Sequence, residues 1–137
     1  MGRGSVMKLL LDTHIWIWSV IEPERLTGRV ARALTNEQND LWLSPISVWE
    51  LIMLTEKGRI ELDEDVEPWT RRTMEQLRLQ EAPLTADVAL ETSALGLPHS
   101  DPSDRLIAAS DKVFDLTLVT ADEKLIATPN IKILANR

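Results

Sequence analysis

Apolar residues along the chain alternate between short continuous runs and longer stretches with a helical period. Residues 7–12, 41–43, 117–120 and 130–134 form short runs typical of strands that are buried on both faces. Helical periodicity predicts helices over residues 13–21, 26–34, 46–57, 68–79, 86–95 and 102–114. Strands that alternate with helices favour an α/β fold in which helices cover both faces of a central parallel sheet.

Proline, glycine and charge mark the ends of several of these elements. Pro23 follows the first predicted helix, Pro45 opens the third and Gly58 ends it. Residues 61–67 contain five acids and predict a solvated loop.

Length and composition indicate one globular domain over residues 7–137 of this 137-residue chain. Residues 1–6 are interpreted as a disordered start or an expression remnant. The absence of cysteine excludes disulfides and thiolate chemistry. The net charge of −7 disfavours a protein that simply coats nucleic acid or an anionic membrane. Neither a bilayer span nor a signal peptide is visible, so the expected location is the cytoplasm.

Two acids follow predicted strands directly. Asp12 ends the first strand and Asp122 comes after residues 117–120. Sites in parallel α/β sheets form at the carboxyl ends of the strands. Each of these acids is also well placed to cap the helix that follows it, so both roles remain open at this stage.

Glu50 lies in a strongly apolar predicted helix. Its neighbours one turn away include Ile46, Met53 and Leu54, and no Lys or Arg lies within one turn of it. Burying a carboxylate there is costly unless a hydrogen-bond donor or a cation meets it. The sequence therefore predicts a partner from elsewhere in the fold or a metal ion, although a place at the edge of the buried stripe remains the alternative.

Asp101 and Asp104 stand at the predicted start of the last long helix. Asp101 precedes Pro102, which is typical of an N-cap, and Asp104 in the first turn complements the helix dipole. Arg105 is expected to pair with a neighbouring acid. Thr120, at the end of a strand, could orient a carboxylate or serve only as a turn hydroxyl.

Together these acids predict a metal site more specifically than any one of them alone. A parallel sheet would bring four of them, Asp12, Glu50, Asp104 and Asp122, to one edge, where they raise each other's pKa unless a cation neutralises them. Oxygen ligands without cysteine suit Mg²⁺ or Mn²⁺. Two such ions can support phosphodiester hydrolysis.

Four motifs that contain these acids follow one another along the chain: Leu10-Leu11-Asp12-Thr13-His14, Ser47-Val48-Trp49-Glu50-Leu51, His99-Ser100-Asp101-Pro102-Ser103-Asp104-Arg105-Leu106-Ile107-Ala108 and Val119-Thr120-Ala121-Asp122-Glu123. In this order they resemble the motifs of PIN-domain ribonucleases and specifically those of the VapC toxins of bacterial type II toxin–antitoxin systems. The resemblance runs from about residue 7 to residue 134.

The resemblance implies a three-layer α/β/α sandwich, metal-dependent endoribonuclease activity with Mg²⁺ or Mn²⁺, and a toxin neutralised by a VapB-type antitoxin. It also implies a homodimer. Position by position, its acidic metal site carries over to Asp12, Glu50, Asp104 and Asp122, with Thr120 and Asp101 as supporting residues.

The sequence departs from the family pattern at two positions. Leu54 stands where similar sequences carry a Lys, which puts a basic RNA contact there in doubt, and Ser103 replaces a bulky apolar residue. Neither change removes a carboxylate.

Two alternative functions are considered beside the ribonuclease. A catalytically silent PIN module could act by binding RNA or protein. A phosphatase with Asp12 as nucleophile is disfavoured, because it needs an acid where His14 stands.

Trp16 and Trp18 cannot share one helix face, which makes one of them a candidate for a partner surface.

Overall fold

The computed structural model describes residues 6–97 and 101–137 and contains one five-stranded parallel sheet. Its spatial order is β3-β2-β1-β4-β5. The strands are β1 (Lys8–Leu11), β2 (Asp40–Leu43), β3 (Leu79–Glu81), β4 (Thr117–Thr120) and β5 (Lys132–Ala135).

Helices connect the strands and cover the sheet on both faces. They are α1 (Thr13–Ile21), α2 (Gly28–Thr35), α3 (Pro45–Glu56), α4 (Val66–Gln76), α5 (Ala86–Leu95), α6 (Pro102–Val113) and the short α7 (Glu123–Ile126), with one 3₁₀ turn at Pro23–Arg25. None of these helices is long and apolar enough to cross a membrane.

Two apolar clusters, one on each face of the sheet, form the core. Leu9 and Leu11 pack into a cluster with α1 to α4, whereas Leu10 packs into a second cluster with α6 and α7. Successive side chains of a strand point to opposite faces, so a central strand buried on both sides must be apolar throughout. The predicted three-layer α/β/α architecture is confirmed.

The sheet order reverses beside β1. From β1 the chain first builds outward through β2 and β3, then returns to add β4 on the other side of β1. In parallel sheets, the crevice at such a reversal is where ligands bind. Asp12 and Asp122 follow the two strands that flank this crevice.

One predicted element is wrong at its end. The helix expected over residues 68–79 is α4, which begins at Val66 and stops at Gln76, and Leu79–Glu81 forms β3. Pairing with the open edge of β2 decides this conformation. Two of the three residues of this edge strand are polar, so no apolar run marks it in the sequence.

The tryptophans of α1 face different surroundings, as predicted. Trp16 is fully buried, donates from Nε1 to the Thr73 hydroxyl at 3.1 Å and packs against Trp69. Trp18 is half-buried, with the Arg25 guanidinium 5.1 Å from its ring centre. Trp16 is thus a core residue, which leaves Trp18 as the candidate for a partner surface.

Asp111 is a carboxylic acid buried in the fold away from the strand ends that carry Asp12 and Asp122. It lies in α6 at 1% exposure, and neither of its side-chain oxygens has a hydrogen-bond partner among residues 6–97 and 101–137. Burial raises the pKa of Asp111 to about 8, while the nearby Lys132 acts in the opposite direction. The folded protein therefore holds a proton there that the unfolded chain releases above about pH 4.

We expect Asp111→Asn to stabilise the protein at alkaline pH. Because the folded pKa lies above the unfolded value, this acid lowers the stability of the wild type progressively as pH rises from about 4 to 8. The neutral amide removes that loss, so the gain should grow by up to about 1.4 kcal/mol per pH unit, to on the order of 5 kcal/mol near pH 8. Urea unfolding at pH 5, 6.5 and 8 measures it.

Asp115→Asn is the matched control for this substitution. Asp115 is exposed and pairs with Lys132 at 2.6 Å, and this ion pair lowers the pKa of Asp115. Its replacement should give no gain that rises between pH 5 and pH 8. An equal gain in both variants, or none in Asp111→Asn, would contradict a buried protonated Asp111.

Candidate active site

The carboxyl edge of the sheet brings together acids from four separate segments of the chain. Asp12 and Asp122 follow β1 and β4, Glu50 comes from the middle of α3, and Asp104 lies in the first turn of α6. Asp101 caps the same turn of α6. These positions put each predicted site residue near the crevice where the strand order reverses.

Thr120 connects the two acids that follow the strands. Its hydroxyl donates to Asp12 Oδ2 at 2.6 Å and accepts from the Asp122 backbone N–H at 3.0 Å. Thr120 is fully buried, so its rotamer is held by packing as well as by these bonds. Of the two roles that the sequence leaves open for Thr120, the structure supports the orientation of a carboxylate.

Both strand-end acids also cap helices. Asp12 Oδ1 accepts from the Thr13 backbone N–H at 2.8 Å, and Asp122 Oδ1 accepts from the backbone N–H groups of Lys124 and Leu125. Capping therefore occupies one oxygen of each carboxylate. The other oxygen of Asp122 makes no hydrogen bond among the described contacts, so capping and a site role are compatible.

Glu50 receives its hydrogen bond from another helix. The Thr13 hydroxyl of α1 donates to Glu50 Oε1 and is also bonded to the Ser47 hydroxyl at 2.8 Å. Thr13 and Ser47 are both buried. The partner expected from elsewhere in the fold is thus a threonine that directly follows Asp12, which couples the orientations of two of the acids.

Asp101 supports the helix turn that carries Asp104. Its Oδ1 accepts from the Asp104 backbone N–H at 2.9 Å, as predicted for an N-cap. Contrary to expectation, Arg105 forms no ion pair with an acid of the described residues. Its guanidinium instead donates to the Thr92 carbonyl at 3.4 Å, because α5 packs directly along α6.

A cavity of about 360 Å³ opens among these side chains, and we call it the acid cavity. Its lining consists of Asp12, Thr13, His14, Trp18, Glu50, Asp101, Asp104, Ala121 and Asp122. All four acids of the predicted site and the capping Asp101 face this one space. Thr120 lies behind it, in contact with Asp12.

Burial and mutual repulsion oppose ionisation of these acids. Burial is the main cause that raises the pKa of Asp12 and of Glu50, and hydrogen bonds from Thr120 and Thr13 partly counteract it. Burial also raises the pKa of Asp104 to about 7, and the charges of the surrounding acids add to this rise. A cation would relieve this electrostatic strain.

The acids share a cavity without forming a ready-made coordination shell. Across residues 6–97 and 101–137, no three acidic or histidine side chains are grouped so that they could hold a metal ion as they stand. Existing hydrogen bonds explain part of this, since Thr13, Thr120 and the α7 backbone each hold a carboxylate oxygen. The donor set of oxygen ligands still suits a hard divalent cation.

Sequence reasoning missed two residues that support the site. They are Thr13 and Ser47, whose hydroxyls meet at Glu50, and the sequence pattern assigns neither of them a role in the site. Their signal was weak: two hydroxyl residues on otherwise apolar helices, each close in sequence to a candidate acid. His99 and residues 1–5 lie outside the described part of the chain.

Comparisons with known proteins agree on one family. A family model described as a PIN domain matches residues 9–131. The chain is also 36% identical over 120 residues to Ribonuclease VapC22 of Mycobacterium tuberculosis, a match that covers 85% of this chain and 88% of that protein.

Solved structures of similar fold come from toxin–antitoxin complexes. VapBC2 from Rickettsia felis, bound to a DNA fragment from its promoter, matches with a TM-score of 0.68 at 20% identity and covers 94% of this chain and 98% of that one. DNA-bound VapBC from Salmonella typhimurium matches with a TM-score of 0.68 at 21% identity and covers 96% and 100%. At this identity the likeness establishes the fold.

Proposed function

The chain belongs to the PIN-domain family, with a VapC ribonuclease as a close relative, and from that premise we propose that it is an endoribonuclease that acts as the toxin of a toxin–antitoxin pair. The observation that carries this proposal is the convergence of Asp12, Glu50, Asp104 and Asp122 on the acid cavity. We further propose that residues 7–137 form one PIN domain and that it works in the cytoplasm.

We propose Mg²⁺ or Mn²⁺ as the cofactor, held by these four carboxylates. When bound, a divalent ion supplies positive charge that attracts a phosphodiester and makes water a better nucleophile. The protein's own residues prepare the carboxylates for this role: Thr120 fixes Asp12, Thr13 fixes Glu50, and Asp101 fixes the helix turn that carries Asp104. Without the cation, the acids and the net charge of −7 would repel RNA.

Cleavage of RNA by the purified protein tests the function directly. End-labelled RNA should be cut internally with Mn²⁺ or Mg²⁺ and remain intact with EDTA. Binding of RNA without any cutting, under all metal conditions, would instead favour a catalytically silent PIN module. If the protein does cut RNA, mapping the 5′ ends of cellular RNA after induced expression would identify the target.

We propose two protein partners. One is a VapB-type antitoxin, because several structural neighbours are VapBC complexes. The other is a second copy of this chain. The exposed apolar side chains of Leu84, just before α5, and Leu90, on α5, offer a surface for it. Sedimentation equilibrium at tens of micromolar (an order of magnitude suited to micromolar affinity) should show a mass above the 15.5 kDa monomer. A monomer alone would contradict the dimer.

We expect metal affinity to rise with pH through neutrality. A carboxylate must lose its proton to bind a cation, and the pKa of Asp104 is raised to about 7. The apparent affinity for Mn²⁺ should therefore increase up to about tenfold per pH unit below pH 7 and level off above about pH 8. Calorimetric titration from pH 5.5 to 8.5 measures this dependence.

Asp104→Asn provides the comparison for this titration. The amide cannot ionise, so this variant should bind Mn²⁺ more weakly and lose most of the rise near pH 7. A wild-type affinity that is flat over the same range would contradict a role for Asp104 as a ligand.

A further inference from the structure

A second cavity, of about 590 Å³, adjoins the acid cavity and shares three of its lining residues. These shared residues are His14, Glu50 and Asp101. We call this cavity the Trp49 groove, and the rest of its lining consists of Ile46, Trp49, Met53, Leu54, Lys57, Arg59, Pro102 and Ser103. A chain bound across the four acids would continue into it.

Trp49 is unusually exposed for its size. Its side chain is 51% accessible, whereas Trp16 and Trp69 are buried in the core. Trp49 and Met53 lie four residues apart on α3, and its C-cap residue Lys57 follows four residues later, so the three follow one another along the same side of the helix. The indole therefore forms an apolar surface between the acids at one end of the groove and a cation at the other.

The end of α3 places a second cation at the same end of the groove. Gly58 has a positive φ of 69°, and the Arg59 backbone N–H returns to the Leu54 carbonyl at 2.9 Å. This Schellman-type ending turns the chain back along the helix and fixes the position of Arg59. Lys57 and Arg59 are exposed and form no ion pair with an acid in the described part of the chain.

These features match the chemistry of a single nucleic-acid strand. Proteins bind single strands by stacking bases on aromatic rings while cations follow the phosphates. From Glu50 to Lys57, α3 rises by about 10 Å, a distance that a short run of nucleotides can span. A chain with a net charge of −7 needs local cations to hold such a strand.

We propose that the Trp49 groove is a subsite for the single-stranded RNA that flanks the cleaved bond. Trp49 stacks on a base, and Lys57 and Arg59 bind phosphates on the same side of the cut. This inference rests on the proposed ribonuclease function and adds a place for the substrate beside the acid cavity. Trp49 acts here in substrate binding and belongs to no step of the hydrolysis.

The first test separates base stacking from apolar packing. Trp49→Ala should raise KM for a 12-nucleotide single-stranded RNA pool roughly 10-fold, within the range expected for one stacked base, and leave kcat within about twofold. Trp49→Phe should restore most of the loss, whereas Trp49→Leu should not. Ile21→Ala, which removes an exposed apolar side chain from the end of α1 outside both cavities, is the control and should leave KM unchanged.

The second test measures the phosphate contacts. Lys57→Gln combined with Arg59→Gln should reduce the dependence of log affinity on log salt by about 0.7 for each lost contact. Fluorescence anisotropy of the labelled RNA pool, with Ca²⁺ in place of Mn²⁺, gives this slope. Arg78→Gln removes the same charge at an exposed site outside the groove and should leave the slope unchanged.

Each outcome bears on the subsite separately from the function. An unchanged KM in Trp49→Ala, or a loss equal in Trp49→Phe and Trp49→Leu, overturns the stacking subsite. A loss that tracks conversion of a dimer to a monomer in sedimentation also overturns it and assigns the indole to a protein interface. If the wild type binds the RNA pool through Trp49 but never cuts it, the subsite stands and the ribonuclease function fails.

Discussion

Asp12→Asn is expected to abolish RNA cleavage while leaving the fold intact. Metal-ion charge contributes several kcal/mol to phosphodiester hydrolysis, so loss of a central ligand should lower the rate roughly 1,000-fold or more. Asn caps helices as well as Asp does: its amide oxygen can take the place of Oδ1 and accept from the Thr13 N–H, while its NH2 group, in the place of Oδ2, can donate to the Thr120 hydroxyl oxygen. Circular dichroism and a cleavage assay measure both effects.

Asp65→Asn is the matched control for this variant. Asp65 is also the N-cap residue of a helix, α4, but it is exposed and lies outside the acid cavity. It should keep full activity. A folded Asp12→Asn protein that cleaves RNA at the wild-type rate would refute the proposed site. If Asp12→Asn is inactive, as expected, its expression should be harmless to a host without the antitoxin.

Glu50→Gln is expected to remove activity and metal-linked stabilisation together. A cation that binds only the folded protein stabilises it by about 2.7 kcal/mol at 100 times its Kd, which corresponds to roughly 10 °C in Tm for a chain of this length. The amide has nearly the same volume and lacks the charge, so most of this shift should disappear. Calorimetry with EDTA and with Mn²⁺ measures the two states.

The same substitution should raise Tm in EDTA. The raised pKa of Glu50 arises mainly from burial and further from the charges of Asp12 and Asp101, so a neutral side chain relieves an unfavourable interaction. The Gln amide oxygen can still accept from Thr13. Glu56→Gln on the exposed side of α3 is the control, and it should keep both the metal shift and the activity.

A wild-type metal shift and full cleavage in Glu50→Gln would make Glu50 a structural carboxylate that only anchors α1 to α3. The four-acid site would then be wrong, even if the family assignment stands. This outcome is distinct from failure of the Asp12 prediction, since Asp12 lies on a strand end and does not depend on the Thr13 hydroxyl for its own hydrogen bonds.

Elements with strong local signals were predictable from the sequence. β1 is a run of three leucines because alternate side chains enter both apolar clusters, and no polar residue could occupy its centre at low cost. Capping residues gave similarly local evidence, since Asp101 before Pro102 and Asp12 before α1 both accept the expected backbone hydrogen bonds. The alternation of such elements sufficed for the fold class.

The candidate acids could also be recognised from the sequence, because a carboxylate at the end of a strand or on an apolar helix interrupts the apolar pattern around it. Their convergence depended on the parallel sheet, which brings its carboxyl ends to a single edge. The structure places all four around the acid cavity. Their role as metal ligands stays a prediction.

Only the tertiary structure decided what holds those acids and what adjoins them. The edge strand β3 forms because β2 offers an open row of backbone hydrogen-bonding groups. The three residues of β3 are mostly polar, so their own sequence does not predict a strand. Thr13 reaches Glu50, and Thr120 reaches Asp12, across 37 and 108 positions of sequence. The sequence by itself determined the alternating elements and the acids, since burial and capping act within a few residues. Contacts between distant residues arise from packing, and so the supporting hydroxyls and the Trp49 groove became visible only in three dimensions.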